Sequence, residues 1–405
     1  MKFLYFHQHF STPKGSTGTR SYEMARSLVA RGHEVTMVCG TYGGGETGLS
    51  SAFEGGRRSG LVDGINVVEL DLAYSNSDGF LKRAWLFLKF AGRSVGIALR
   101  EEYDVVFATT TPLTAGIPGV FARWLRRKPF VFEVRDLWPE LPREMGVITN
   151  PLVLGAMSVL EWVSYRSATR CVGLSPGIVD GIARLGVPRD RIALVPNGCD
   201  LDIFSVEQEG WRPAEVGPDD LLAAFTGTHG IANGLGSVLD AAAELKRRGR
   251  EDIKLVLIGQ GKLKPELQAR AAREGLDNVV FHAPVSKTKL AGLMAETDVG
   301  MQILANVPAF YYGTSPNKFF DYIASGLPVL NNYPGWLAQM IEGERCGFAV
   351  PPDDPVAFAD ALEQAAADRD ALRAMGENAR RLAVREFDRR ILAGRFADWL
   401  EGAAA

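Results

Sequence analysis

At roughly 100 to 200 residues per domain, 405 residues make two domains or three, and 46% hydrophobic with 23% charged residues excludes a disordered, collagen-like or coiled-coil chain. With 45 Lys and Arg against 48 Asp and Glu the formal net charge is -3, so no global basic field exists to hold a nucleic acid polymer, and any anion must be bound locally. Four scattered cysteines (Cys39, Cys171, Cys199, Cys346) with no Cys-x-x-Cys pair argue against a disulfide framework or a structural zinc site and for a reducing cytoplasm.

The first residues, Met1 to Phe10, read as a strand rather than a signal peptide, so secretion is not expected. A strand over Lys2 to His7, a loop with Gly15 and Gly18, a helix carrying Tyr22, Ala25, Leu28 and Val29 and ended by Gly32, and a strand over Glu34 to Cys39 form one βαβ unit. The run from Gly79 to Arg93 interleaves Lys82, Arg83, Lys89 and Arg93 with Phe80, Trp85, Phe87 and Phe90. Over 79–100 this predicts an amphipathic helix with two readings. One docks on an anionic membrane surface, with Trp124 to Lys128 adding charge; the other packs on the sheet with a basic outer face. Its most apolar stretch, Ala84 to Leu99, is broken by Lys89 and Arg93, short of the about 20 apolar residues that cross a bilayer.

Strands over Val105 to Ala108, Phe130 to Val134, Arg170 to Leu174 and Arg191 to Val195, with helices near Thr114 to Trp124 and Pro151 to Ser167, continue an α/β domain built on a parallel sheet over 1–196. Strands over Leu221 to Thr226, Lys254 to Ile258, Val279 to His282, Val299 to Ile303 and Val329 to Asn331 repeat the plan over 197–384. Their helices run from about Leu235 to Arg248 and begin near Lys262, Ser286 and Ser315. Ser205 to Asp220 reads as a surface loop, and the last segment, 385–405, as a helix packing back on the first domain. Two sheets of similar size are expected to face a cleft.

The strongest local signal is Tyr312 to Leu330, a capped helix and its following strand. Ser315 suits the N-cap, Pro316 the first helical position, Gly326 the C-terminal left-handed turn, and Pro328 forbids continuation. Free N–H groups at such a start favour an anion. Lys318 lies in the first turn and Asp321 about 4.5 Å further along the axis on the same face, a spacing that suits diphosphate above and ribose below. The alternative is an ordinary surface ion pair between the two. The second signal is the Gly-rich turn Phe225-Thr-Gly-Thr-His-Gly-Ile-Ala-Asn-Gly-Leu-Gly236, neither a Gly-x-Gly-x-x-Gly fingerprint nor a P-loop, with Gly15 to Gly18 a similar turn in the first domain.

With Val195-Pro-Asn-Gly-Cys-Asp200 at the junction, these segments resemble retaining glycosyltransferase family 4, which has the two-lobed GT-B fold. The resemblance runs in order over nearly the whole chain: Gly15 to Gly18, Val134-Arg-Asp-Leu-Trp-Pro139, Pro196-Asn-Gly198 with Asp200, Gly259-Gln-Gly261, and Pro316 to Pro328. Asp136 to Glu140 and Ser315 to Lys318 look most like a subgroup making bacterial surface polysaccharides, including L-fucosamine transferases. The resemblance implies a nucleotide-sugar donor held by Gly15, Gly18, Gly227, Thr228, His229, Asn233, Gly259, Gly261, Ser315, Pro316, Asn317, Lys318 and Asp321. Asp321 takes the place of the family's ribose-binding carboxylate, and Gly313, eight residues earlier, stands where the family has its other one. Thr228 and Asn233 stand where relatives carry an Arg and a Lys on the diphosphate, so compensation falls on Lys318, helix N–H groups and a protonated His229.

Arg135 stands where many relatives have a His, so it is expected as an electrostatic contact, with Asp136 orienting it or the acceptor or forming an ion pair with it. Glu133, Arg135, Asp136 and Glu140 are the candidates for the acceptor side, and Phe310 to Gly313 with Asn331 to Gly335 for donor choice. Asp200-x-Asp202 matches a metal-dependent motif but sits at the junction, so no metal is expected. The implied enzyme is cytoplasmic, peripheral on the inner membrane face, and moves a hexose or N-acetylated aminosugar from UDP to a glycan or polyprenyl-diphosphate-linked acceptor. Rival readings are an epimerase or hydrolase of the same fold, and a non-catalytic nucleotide-sugar-binding subunit.

Overall fold

The computed structural model describes residues 1–15, 18–75, 78–204 and 209–404. It divides into two compact units, Met1–Pro196 with Gly313–Ser315 and Arg390–Ala405, and Asn197–Tyr312 with Pro316–Arg389.

The first unit carries β1 (Lys2–Phe6), α1 (Arg20–Ala30), β2 (Glu34–Tyr42), β3 (Arg57–Val62), β4 (Ile65–Tyr74), α2 (Phe80–Arg100), β5 (Val105–Thr109), α3 (Ile117–Leu125), β6 (Phe130–Val134), α4 (Glu140–Glu144), α5 (Pro151–Ser167), β7 (Arg170–Gly173), α6 (Pro176–Arg184) and β8 (Ile192–Leu194). Its sheet has eight strands in the order β3-β4-β2-β1-β5-β6-β7-β8. Both β5 and β6 are buried along their whole length, as continuous apolar runs in a parallel sheet covered on both faces should be.

One edge departs from the expected parallel plan. Strands β3 and β4 pair antiparallel across a two-residue turn, Asp63-Gly64, both with positive φ. That is the geometry for which Asp-Gly is the favoured sequence, and the flanking residues alternate in burial on β3. The last helix, Arg389–Glu401, belongs almost wholly to this unit. Phe396 meets Phe107 edge to face with ring centroids 5.0 Å apart, and Arg31 pairs with Asp398 and Glu401.

The second unit carries β9 (Leu221–Thr226), α7 (Gly236–Arg247), β10 (Ile253–Ile258), α8 (Lys264–Glu274), β11 (Val279–His282), α9 (Lys287–Glu296), β12 (Val299–Gln302), α10 (Pro308–Gly313), α11 (Asn317–Ala324), β13 (Val329–Asn331), α12 (Trp336–Glu344), β14 (Gly347–Ala349), α13 (Pro355–Ala367) and α14 (Arg369–Glu386). Six parallel strands run in the order β11-β10-β9-β12-β13-β14. The predicted cap of α11 is corrected here: the helix begins at Asn317 with Pro316 in the cap position, and Ser315 falls in the segment that groups with the first unit.

Inside the first unit, the arrangement of strand ends rests on one buried pair. Arg20, at the start of α1, gives Nε and Nη2 to a single Glu133 oxygen at 3.0 and 2.8 Å, and its remaining donors reach the carbonyls of Pro196 and Val195 at 2.7 and 2.8 Å. Burial alone would raise the Glu133 pKa, yet the charges of Arg20 and Arg135 hold it down to about 2. Removing one partner of such a pair leaves an uncompensated buried charge, at a cost of about 3–5 kcal/mol. Arg20→Met should therefore lower the melting temperature by about 10 °C or more in a thermal melt, at the usual few degrees per kcal/mol; a shift under 2 °C would show that the pair does not hold the unit together.

Candidate functional site

In the second unit the site is built on backbone contact between two strand-end loops. Gly227 follows β9 with φ 148°, and Gly259 follows β10 with φ 150°. A Cβ on Gly259 would lie 1.8 Å from the Gly227 carbonyl oxygen, and one on Gly261 would lie 2.3 Å from the His229 carbonyl oxygen. Only glycine fits at either place, because the close approach leaves no room for a side chain, and at Gly259 the positive φ excludes one as well. The loops are then stitched by the His229 N–H to the Gln260 carbonyl at 3.0 Å and the Gly227 N–H to the Ile258 carbonyl at 2.9 Å.

Lys318 lies over this cradle. Its Cε is 3.3 Å from where a Gly227 Cβ would stand, its Nζ is 4.9 Å from the centre of the Phe225 ring, and Nζ donates to Asn233 Oδ1 at 2.9 Å. Asn233 in turn donates to the Thr228 carbonyl at 2.6 Å, so it fastens the loop to the lysine. Burial lowers the Lys318 pKa to about 8, which leaves a cation at neutral pH with little solvent around it. The ion-pair alternative fails, since Lys318 makes no salt bridge to Asp321 among the described residues.

Asp321 sits one turn deeper. Burial raises its pKa to about 6, with Lys287 and Arg389 opposing and Asp200 adding to the rise. Asp200 is itself taken up by Lys287 and Arg389, so the first carboxylate of Asp200-x-Asp202 already has its partners. Among the described residues no group of three His, Cys, Asp or Glu is placed to hold a metal ion.

His229 needs a correction. It is buried, both ring nitrogens lack a hydrogen-bond partner among the described residues, and burial with the charge of Lys264 lowers its pKa to about 4. At neutral pH it is uncharged and offers one N–H donor, not the expected cation. A lysine outside the predicted set does take part: Lys264 Nζ donates to the carbonyls of Gly259 and His282, both at 2.7 Å. Tyr322 adds a second unexpected brace, its hydroxyl accepting from the Thr226 N–H at 3.0 Å. Gly313, where relatives carry a carboxylate, has open space at its missing Cβ. Gly335 packs its backbone on Tyr311, so closely that a Cβ there would lie 1.8 Å from the Tyr311 carbonyl oxygen.

In the first unit the ends of β1 and β6 bring polar groups together. Arg135 donates Nε to Thr109 at 2.8 Å and to Glu133 at 3.2 Å, and Nη2 to Ser21 at 2.7 Å. Glu133 is therefore enclosed by Arg20, Arg135 and Thr109 and fully buried, which corrects its expected place among the acceptor contacts: it positions Arg135. Asp136 makes no salt bridge to Arg135 among the described residues; it lies 3.5 Å from the Thr111 hydroxyl, and burial raises its pKa against the nearby Arg135 charge. Glu140 pairs with Arg184 at 2.6 Å.

The sequence reading missed His7, Gln8 and His9, which follow β1 directly. His7 Nδ1, both Gln8 amide atoms and His9 Nε2 have no hydrogen-bond partner among the described residues, and His9 lies against Tyr42 and Tyr74 with ring centroids 4.9 and 4.6 Å apart. Buried polar groups left unpaired cost about 1–3 kcal/mol each, so such a cluster marks a place where water or a ligand supplies the bonds. Burial, with the charges of Arg135 and Arg83, lowers the His9 pKa to about 4. The signal was present as His-x-His at a strand end. Gly15, by contrast, closes a turn on the Thr12 carbonyl and packs on Ser11; Ser16 and Thr17, between it and exposed Gly18, lie outside the described residues.

Residues 15–198 match the family described as Glycosyl transferase 4-like domain, and residues 221–368 match Glycosyl transferases group 1. The D-inositol 3-phosphate glycosyltransferase of Nocardia farcinica is 32% identical over 200 residues, 47% of this chain and 43% of that one. The O-antigen chain mannosyltransferase C of Escherichia coli is 26% identical over 221 residues, 52% and 54% of the two chains. The chain thus spans about half the length of the curated relatives it matches. Among solved structures, the Anabaena protein HepE in complex with UDP and glucose superposes with a TM-score of 0.69 at 18% identity, over 99% of each chain, which speaks to the fold. A glycosyl transferase 4-like domain followed by a group 1 domain, each with its parallel sheet, gives the chain the GT-B fold.

Proposed function

We propose that the chain is a retaining, metal-independent glycosyltransferase that moves a hexose or N-acetylated aminosugar from a UDP-sugar to a lipid-linked or growing glycan in bacterial surface-polysaccharide synthesis. The observation that carries this reading is the glycine cradle of Gly227, Gly259 and Gly261 under the poorly solvated Lys318 cation. Departure of a nucleoside diphosphate from an anomeric carbon builds negative charge, and catalysis then consists largely of stabilising it with donors already in place. Lys318, with N–H groups of the cradle and of the α11 start, is suited to that task. Asp321 would accept the ribose hydroxyls, and Arg135 with Asp136 would hold the acceptor. The names of the mannosyltransferase relative and the UDP complex of HepE support the donor class and the polysaccharide setting.

The exposed face of α2 supports attachment to an anionic membrane surface. Phe80, Leu81, Trp85 and Leu88 lie exposed beside Lys82 and Lys89, while Leu86, Phe90, Ser94 and Ala98, each four residues apart, face the core. No helix among the described residues is long and apolar enough to cross a membrane.

In a thermal-shift screen of UDP, GDP, ADP, TDP and CMP, UDP alone should raise the melting temperature, and should do so without Mg²⁺, since a ligand at 100 times its Kd adds about 2.7 kcal/mol. No shift with any nucleotide would turn the reading to a non-catalytic subunit. UDP-glucose, whose diphosphate has no proton to lose in this range, should bind best between the two site pKa values. Affinity should fall as pH drops through about 6 and Asp321 is protonated, and fall as pH rises through about 8 and Lys318 loses its proton. Asp321→Asn should flatten the acid limb. Lys318→Met should flatten the alkaline limb and weaken binding about 10- to 100-fold, the range for a hydrogen bond to a charged group; calorimetry showing both variants with the unaltered profile would remove the site.

Lys82→Glu with Lys89→Glu should release the protein from anionic vesicles in a sedimentation assay by roughly 30-fold, at about 1 kcal/mol per cation. Equal sedimentation of the variant and the native protein would reject membrane docking by this face.

A further inference from the structure

The first unit holds an apolar groove that the sugar chemistry does not account for and that shares Phe80 and Leu88 with the exposed face of α2. Helices α2, α4 and α5 and the turn over Pro112, Leu113 and Thr114 enclose a cavity of about 340 Å³. That is the lower end of volumes that take a small ligand. Phe87, Leu113, Ile148, Met157 and Leu160 give it an apolar wall, and Arg83 is its only charged lining residue.

Two polar atoms in that lining have no hydrogen-bond partner among the described residues: Arg83 Nε and Trp138 Nε1. The inner end adjoins the strand-end cluster. Thr111, next to lining residue Pro112, is 3.5 Å from Asp136; Trp138 is two residues beyond Asp136; and Phe87 lies 6.2 Å from His9 by ring centroids. The outer end opens on the exposed apolar face of α2 and on exposed Val147 of the loop after α4. An apolar slot, then a cation that stacks over the Tyr74 ring and keeps its Nε unpaired, then unpaired polar groups is the complement of a molecule with an apolar chain, an anionic head and a hydroxylated end. A bilayer lipid would fill the slot but offers nothing to the polar groups beyond Arg83.

We propose that this groove binds the apolar chain of a lipid-diphosphate-linked acceptor, with Arg83 meeting the diphosphate and the glycan directed toward Asp136. The assignment rests on the transferase reading for its purpose, and the groove can be tested apart from it. Each methylene removed from water strengthens binding roughly fourfold, so even four buried carbons give on the order of 100-fold.

The test is calorimetric binding of geranylgeranyl diphosphate and of inorganic diphosphate to the full chain with saturating UDP present to fill the Lys318 cradle, below the micelle concentration. The chain-bearing probe should bind at least 100-fold tighter, and Arg83→Met should weaken both. Ala156→Trp, on the exposed side of α5, should reduce geranylgeranyl diphosphate to the level of diphosphate while leaving UDP-glucose affinity and the melting temperature unchanged; Leu160→Gln, at a leucine packed on the core, should do the same to both affinities with a lower melting temperature. Equal binding of the two probes, or an undiminished chain preference in both groove variants, would overturn the groove while intact UDP-glucose binding leaves the transferase reading standing. Loss of UDP-glucose binding in the native protein with chain preference retained would do the reverse. Groove variants that lose binding to neutral phospholipid vesicles but keep geranylgeranyl diphosphate would hand the groove to a bilayer lipid, and a native dimer that Ala156→Trp dissociates would hand it to a second copy; either overturns the proposal.

Discussion

A fully buried carboxylate, Glu133, organises the first unit because it can exist there only as an anion with its cations in place. Its desolvation is offset by Arg20, Arg135 and the Thr109 hydroxyl, and each of those comes from a different element. Arg20 brings the start of α1 and the chain exit at Val195 and Pro196 to the end of β6; Thr109 brings the end of β5. Once these are fixed, Arg135 has little freedom left, so the cation beside Asp136 is presented in one orientation. A buried ion pair is weak evidence for stability in general. Here its consequence is positional, since strand ends, a helix start and the chain exit must meet for the charges to cancel.

The second unit reaches a similar end without an ion pair, with the Lys264 ammonium on the carbonyls of Gly259 and His282. Its cradle exists because glycines let two backbones come closer than any side chain allows, and the one cation above it is introduced by a helix from elsewhere in the chain. Lys318 is then a partly buried cation, braced by an amide rather than neutralised by a carboxylate. Such a group gains more from meeting an anion than a solvated or paired lysine would, because it gives up less.

The strands were legible wherever burial on both faces made a continuous apolar run, and α5 was legible from Pro151 onward, where the structure adds a cap, the Asn150 side chain accepting from Leu152 and Val153. The β3–β4 hairpin carried an equally local signal in Asp63-Gly64 and was passed over because the neighbouring units set an expectation of parallel pairing. Glu133 was misplaced for a different reason. Its partner Arg20 lies 113 residues earlier, and nothing local distinguishes a carboxylate that faces substrate from one that is walled in. The same applies to His229, whose charge state is set by Lys264 and by burial between two loops. The unpaired groups of His7, Gln8 and His9 could not be read as a cluster until the sheet had placed the end of β1 near Arg135.

Three positions depart most from the resemblance, and they bear on the proposed activity in different ways. Under the proposed function, Thr228 and Asn233 leave the diphosphate two cations short, which alone would favour a binding subunit without turnover. The geometry gives Asn233 work of its own: its amide joins the Thr228 carbonyl to Lys318 Nζ, so the substitution that removes a charge also fixes the remaining one over the cradle. Orientation then compensates part of the lost Coulomb attraction, since a preorganised donor spends nothing on rearrangement as charge develops. Gly313 leaves open space, and under the proposed function the carboxylate absent there is a contact to the donor rather than the means of stabilising its leaving group. Under the proposed function the departures would alter which sugar is held more than whether one can be released.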